Sequence, residues 1–237
     1  LDRMYVNHRF NKADVSLGRI GLKIGEGLIY NDEPIDGILA NYNGGKYQIQ
    51  AGYGSLVSVY GSGFPDSRGN RRSVSKFTTL TADENPTLSL VQARANLTKG
   101  TKLSGYYIWG NKNMNLDIYG VAIDSQINKF WLGGEYVKAT HLNDSKAWIA
   151  GLGYGKYSMA KPHSWSLKMQ YLNEDVNAPL FNSRTLPWAQ NSKGWMATVN
   201  YAFEKNVGVS AYYAFHNQKH DGSDLGDFYR ADMIIKF

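Results

Sequence analysis

The last ten residues, Phe228 to Phe237 (FYRADMIIKF), alternate apolar Tyr229, Ala231, Met233, Ile235 and Phe237 with polar Arg230, Asp232 and Lys236. Side chains that switch face at every residue define a strand whose two sides meet different surroundings. The pattern recurs. In Ser164 to Tyr171, Trp165, Leu167, Met169 and Tyr171 oppose Ser164, Ser166, Lys168 and Gln170. Gly194 to Phe203 sets Trp195, Ala197, Val199, Tyr201 and Phe203 against Met196, Thr198 and Asn200, and Val207 to Phe215 sets Val207, Val209, Ala211, Tyr213 and Phe215 against Ser210 and Tyr212.

Extended along the chain, the alternation predicts thirteen strands, at about 1–10, 15–24, 35–42, 46–56, 87–97, 102–110, 115–124, 129–139, 147–156, 164–172, 194–203, 207–216 and 228–237. The connections form two classes that alternate in position. Asn11 to Asp14, Asn43 to Gly45, Thr98 to Thr101, Ser125 to Asn128, Tyr157 to His163 and Glu204 to Asn206 are mostly tight and rich in turn formers. The other class includes the long segments Gly25 to Pro34, Val57 to Pro86, Asn173 to Lys193 and Asn217 to Asp227, with shorter members at Asn111 to Met114 and Thr140 to Lys146. Short turns at one rim and longer loops at the other are the arrangement of an outer-membrane β-barrel. Residues 115–124 alternate poorly, but removing that strand would break the two-rim pattern, so it stays.

The reading is therefore all-β: an antiparallel transmembrane β-barrel, with residues 1–237 forming one domain. No window approaches the roughly 20 apolar residues of a spanning helix, and the mean hydropathy of −0.43 is that of a water-soluble chain. A barrel produces this value because half of each strand faces water. The 17 Tyr and 6 Trp would supply interfacial girdles, and the absence of Cys suits an oxidising envelope compartment. The net charge of +6 is spread through strands and turns and forms no single basic stripe, which argues against nucleic acid as a partner. Single-chain bacterial barrels close on an even number of strands. Thirteen is odd, so the expectation is that strands are missing before Leu1, three of which would give a sixteen-stranded barrel.

Val15 to Tyr42, VSLGRIGLKIGEGLIYNDEPIDGILANY, carries Gly18-Arg19 on one strand and Asp36-Gly37 on the next. This segment resembles general diffusion porins and, more closely, the S-layer-homology-linked porins of diderm Firmicutes. FWLGGEYVKA at Phe130 to Ala139 is similar in character, and the terminal Phe237 matches the membrane-insertion signal of such barrels. The resemblance implies an outer-membrane porin, often a homotrimer, that passes ions and small hydrophilic solutes by diffusion without a cofactor. The chain shows no S-layer-homology segment, and the loop after Ile24 is short for a constriction loop.

On the polar faces so assigned, Arg19, Lys23, Arg94, Glu135, Lys168, Arg230, Asp232 and Lys236 are the expected pore-lining residues, since rings of charge set which ions pass. Arg68, Arg71, Arg72, Asp83 and Glu84 lie in the long Val57 to Pro86 connection and are candidates for a constriction or for an exposed surface loop. His216, His220, Asp221, Ser223, Asp224 and Asp227 crowd the last loop, yet no nucleophile motif surrounds Ser223 and no calcium-loop spacing is present. No catalytic or metal site is expected. The rivals to a diffusion channel are a substrate-specific or plugged outer-membrane barrel, acting as a transporter, a tether or a barrel phospholipase, and a soluble all-β binding protein.

Overall fold

The computed structural model describes residues 3–57, 87–111, 117–180 and 191–236, with only the backbone described at 32 and 33. Arg68, Arg71, Arg72, Asp83, Glu84 and Phe237 lie outside the described residues. Thirteen strands follow one another: β1 Met4–Phe10, β2 Ala13–Ile24, β3 Tyr30–Asn43, β4 Tyr47–Leu56, β5 Thr87–Asn96, β6 Thr101–Asn111, β7 Asp117–Ile127, β8 Phe130–Ala139, β9 Lys146–Gly155, β10 Trp165–Glu174, β11 Ser192–Glu204, β12 Val207–Lys219 and β13 Phe228–Ile235. They form one antiparallel sheet in sequence order, with β1 and β13 as its terminal members among the described residues. No helix of the described residues is long and apolar enough to cross a membrane.

Tight turns of two residues, such as Asn11-Lys12, Asn128-Lys129 and Lys205-Asn206, need positive φ, and each places an asparagine there, at 50°, 54° and 66°. The poorly alternating segment is a regular strand, β7, fully paired with β6 and β8. Strands β10, β11 and β12 run two or three residues further into the long loops than expected, and the largest difference is at the start of β3. Pro34, expected in a loop, lies inside β3, and the loop shrinks to Gly25 through Ile29. The proline is accommodated next to a register shift opposite Leu22 and Lys23, where ladder pairing is already interrupted.

The pairing register sorts side chains onto two faces. One carries exposed Leu17, Ile38, Ile49, Leu103, Val121, Leu132, Leu152, Leu167 and Val199. Aromatics bracket this aliphatic band. Toward the short turns lie Tyr42 and Tyr47, Phe130, Tyr154 and Trp165, and Tyr201 and Phe203, in contact with centroids 5.0–6.0 Å apart. Toward the long loops lie Tyr107 and Trp109, Trp148, Tyr171 and Trp195, and Tyr213 and Phe215. Along a strand the two belts are six to eight residues apart, as in Tyr154 to Trp148 and Phe203 to Trp195, or about 20 to 27 Å at 3.4 Å per residue. That is the scale of the roughly 25 Å apolar band of an outer-membrane barrel.

The other face is covered. Leu88, Leu90, Ile108, Ile118, Val137, Ala139, Ala147, Leu172, Met196 and Ala214 point from successive strands into one buried cluster at the long-loop end. Ile20, Leu22, Ile24, Leu28, Ile29, Tyr30 and Ile35 from the end of the β2–β3 hairpin complete it. This end lies across the sheet, because Leu28 reaches β8 directly. Five interstrand steps separate β3 from β8, roughly 24 Å along the sheet. The sheet must therefore curl, with the hairpin end on its concave side.

Candidate pore wall and docked hairpin

Toward the short turns the concave face is polar, and its side chains bond to one another across strands. Asn7 Nδ2 and Asn41 Nδ2 both donate to Asp14 Oδ1, at 3.2 and 3.0 Å, and Gln50 Nε2 donates to Asn41 Oδ1 at 2.6 Å. Gln92 Nε2 donates to Gln50 Oε1. On the far side, Asn200 Nδ2 donates to Ser166 Oγ at 3.2 Å and Ser210 Oγ to Asn200 Oδ1 at 2.6 Å. Strand parity thus sets a hydrogen-bonding wall behind an aliphatic exterior, the division of labour of a barrel that holds water inside.

The hairpin end is fastened to this wall by three side chains. Gln92 accepts from Gly25 N at 3.1 Å and donates to Lys23 O at 3.0 Å, while Arg94 Nη2 donates to Gly25 O at 3.2 Å. Glu135, buried at mid-height on β8, accepts from Glu26 N and Leu28 N through Oε2, both at 3.0 Å, and from Tyr106 Oη through Oε1 at 2.7 Å. A buried carboxylate is costly unless its lone pairs are filled. Here two backbone donors and a phenol fill them, and the same bonds satisfy amides that a turn leaves open. Gly25 makes the approach possible: at φ 58° it carries no Cβ where one would fall on Glu135 Oε1 and 2.7 Å from Tyr106 Cε1.

Beside the docked end is a cavity of about 240 Å³ lined by Lys23, Glu26, Asp124, Trp131, Glu135 and Lys168, among others. Lys23 Nζ bonds Glu26 Oε2 at 3.1 Å, Trp131 Nε1 donates to Asp124 Oδ1 at 2.7 Å, and Lys168 Nζ lies 3.9 Å from the Trp131 ring centroid. Two cations and three acidic side chains therefore face one space, with an indole as its hydrophobic wall.

The sequence-expected pore residues divide. Register places Arg94, Glu135, Lys168, Arg230 and Asp232 on the concave face, the last two joined at 2.8 Å. Lys236 continues that parity past β13, its backbone N–H donating to Asn206 O at 2.9 Å. Glu135 holds a loop as well as facing the cavity. Arg19 departs from expectation: it shares the outer face of Val15 and Leu17 and bonds Asp36 through Nε at 2.8 Å and Nη2 at 2.8 Å. Lys23 has Arg19's parity but reaches the interior because the hairpin end folds inward, turning its outer face toward the cavity. The fully wet inner face expected from sequence is also corrected, since its long-loop half is apolar and buried. In the last loop Asp221 Oδ1 accepts from Ser223 N at 2.8 Å and Ser223 Oγ at 2.6 Å, so this serine is engaged by a carboxylate in its own turn. Among the described residues no group of three or more His, Asp or Glu could hold a metal.

Neither a protein-family model nor a characterised relative matches the chain by sequence. Solved structures do match. Pseudomonas aeruginosa OpdQ aligns with TM-score 0.58 at 12% identity over 89% of this chain and 64% of its own. P. aeruginosa OccK5 (OpdH) aligns with TM-score 0.59 at 12% identity over 97% and 68%. A mutant porin of Rhodopseudomonas blastica gives 0.54 at 11% identity over 95% and 73%. The chain folds like an outer-membrane porin. It spans about two thirds of the length of OpdQ and OccK5. The porin-like sheet places the hairpin end on the inner wall, and the hydrogen-bonded latch through Glu135, Gln92 and Arg94 is a feature of these residues.

Proposed function

We propose that this chain forms most of the wall of an outer-membrane diffusion channel that carries ions and small hydrophilic solutes without a chemical step. The observation that carries the reading is one sheet bearing two aromatic belts around an aliphatic band outside and a cross-strand polar network inside. A closed barrel is the way a sheet satisfies its backbone in lipid. Among the described residues the thirteen antiparallel strands leave β1 and β13 pointing the same way, so closing them as an antiparallel ring takes an odd number of further strands; three would make sixteen. The likeness to porins supports a trimer.

The docked β2–β3 end covers the inner face at the long-loop end and leaves a cavity beside it, through which solutes pass. The passage runs by Lys23, Glu26, Asp124 and Lys168 to the polar wall of Asp14, Gln50 and Arg94. Opposed charges flanking a narrow passage favour small polar solutes over apolar ones. Swelling of proteoliposomes in sugars of increasing size tests this: rates fall steeply with sugar mass if the hairpin end narrows the passage. Equal rates for small and large sugars contradict the narrowing, and no swelling contradicts the channel.

A further inference from the structure

Between the observed strand ends all six connections at the short-turn rim carry lysine and none carries Asp or Glu, Asp14 and Glu204 lying in the strands: Lys12, Lys46, Lys99, Lys129, Lys156 with Lys161, and Lys205. The described loops of the opposite rim carry acidic residues instead, Glu26, Asp144, Asp175, Asp221, Asp224 and Asp227, and no Lys or Arg. At one place the cations converge. A surface groove of about 530 Å³ between the β7–β8 turn and the β9–β10 connection is lined by Lys129, Lys156, Lys161 and His163 on its polar side and by Tyr154 and Trp165 on its apolar side, with no carboxylate in its lining. Lys129 Nζ stands 6.0 Å from the Tyr154 ring centroid, and His163 Nδ1 is 3.0 Å from Tyr201 Oη. Gln126 Nε2 already satisfies the carbonyls of Asn128 and Phe130, both at 3.1 Å, so the turn offers a ligand cations more than acceptors.

The position of the groove decides what it takes. Tyr154 and Trp165 belong to the aromatic belt, and the belt gives way to exposed Leu132, Leu152 and Leu167 on the same three strands. A ligand seated here has an anionic end among the lysines and an apolar body along the leucines. We propose that this groove binds the phosphate headgroup of an anionic phospholipid from the leaflet that this rim enters, its acyl chains lying on Leu132, Leu152 and Leu167. Belt aromatics sit at headgroup depth, and a lysine near an anionic surface gains about fivefold in binding per residue. The proposal rests on the outer-membrane reading, which supplies the bilayer.

The test uses the full-length protein in phosphatidylcholine nanodiscs doped with phosphatidylglycerol, released and weighed by native mass spectrometry. Lys129→Gln/Lys156→Gln/Lys161→Gln is compared with Lys12→Gln/Lys46→Gln/Lys99→Gln, which removes equal charge from other turns of the same rim. The groove triple should lower retained phosphatidylglycerol tenfold or more, and the control triple less than twofold. Equal losses would reduce the effect to a diffuse charged rim and overturn the site, as would wild-type retention in the groove triple. Displacement of phosphatidylglycerol by millimolar inorganic phosphate would show a free-anion site and overturn the lipid assignment. Conductance on the same preparations separates the two readings: an inserted, silent protein that retains the lipid refutes the channel alone, and a conducting one that does not retain it refutes the groove alone.

Discussion

Replacing Glu135 with Ala removes the acceptor shared by Glu26 N, Leu28 N and Tyr106 Oη. Each donor left without a partner in this covered site costs about 1 kcal/mol or more, roughly 3 kcal/mol for the three. At 1.4 kcal/mol per factor of ten, the loop side of the hairpin end should open on the order of 100-fold more often. Hydrogen exchange of the folded protein in nanodiscs reads this directly: the Glu26 and Leu28 amides should lose protection by about two orders of magnitude. Gly25 N, held by Gln92 instead, should change far less and serves as an internal control. Glu135→Gln keeps an oxygen acceptor and should fall between. Wild-type protection at Glu26 and Leu28, within about threefold, would refute the latch.

Gly25→Ala should loosen the same contact from the other side, because its Cβ meets Glu135 and Tyr106 and its φ of 58° is strained for alanine. Combined with Glu135→Ala it should add little further exchange, a double-mutant cycle that fails if the two effects sum. Leu152→Arg, which puts a charge on the aliphatic band where Leu152 is 66% exposed, should destabilise the folded barrel in lipid by about 2–4 kcal/mol by urea titration in vesicles. Gln170→Arg on the opposite face should leave stability within about 1 kcal/mol; equal losses would mean the faces are misassigned. Lys168→Glu should move the reversal potential in a salt gradient toward cation preference, and an unchanged potential would remove Lys168 from the ion path. In the last loop, the hydroxyl and amide of Ser223 hold Asp221 below its ordinary carboxylate range. That turn's stabilisation is therefore present at neutral pH and is lost as pH falls through the lowered value, below about 4. Ser223 amide protection measured from pH 6 to 3 should be flat and then drop only at the acid end.

The strand ladder was legible because alternation and turn chemistry are local. Asn11, Asn128 and Asn206 mark their turns, and Trp165 to Tyr171 displays its two faces in order. The docked hairpin was not legible, because it depends on the sheet curling until β8 faces the β2–β3 end. Nothing near Glu135 in sequence names Leu28 as its partner, 107 residues away. The same fold-over misled the reading of faces on β2. Ile20, Leu22 and Ile24 look like a lipid-facing stripe but are buried inside, which leaves Arg19 outside with Asp36 and turns Lys23 inward. A signal was present in Gly25-Glu26-Gly27, a Gly-flanked segment between apolar residues that suits a close backbone approach.

Single-channel recording in a planar bilayer tests the central claim most directly. The purified, folded full-length protein, added to a bilayer under a salt gradient, should give discrete conductance steps, noisier in Glu135→Ala as the hairpin end loosens. Protein that is demonstrably inserted and protease-resistant yet leaves the bilayer silent would contradict a water-filled passage beside the docked hairpin.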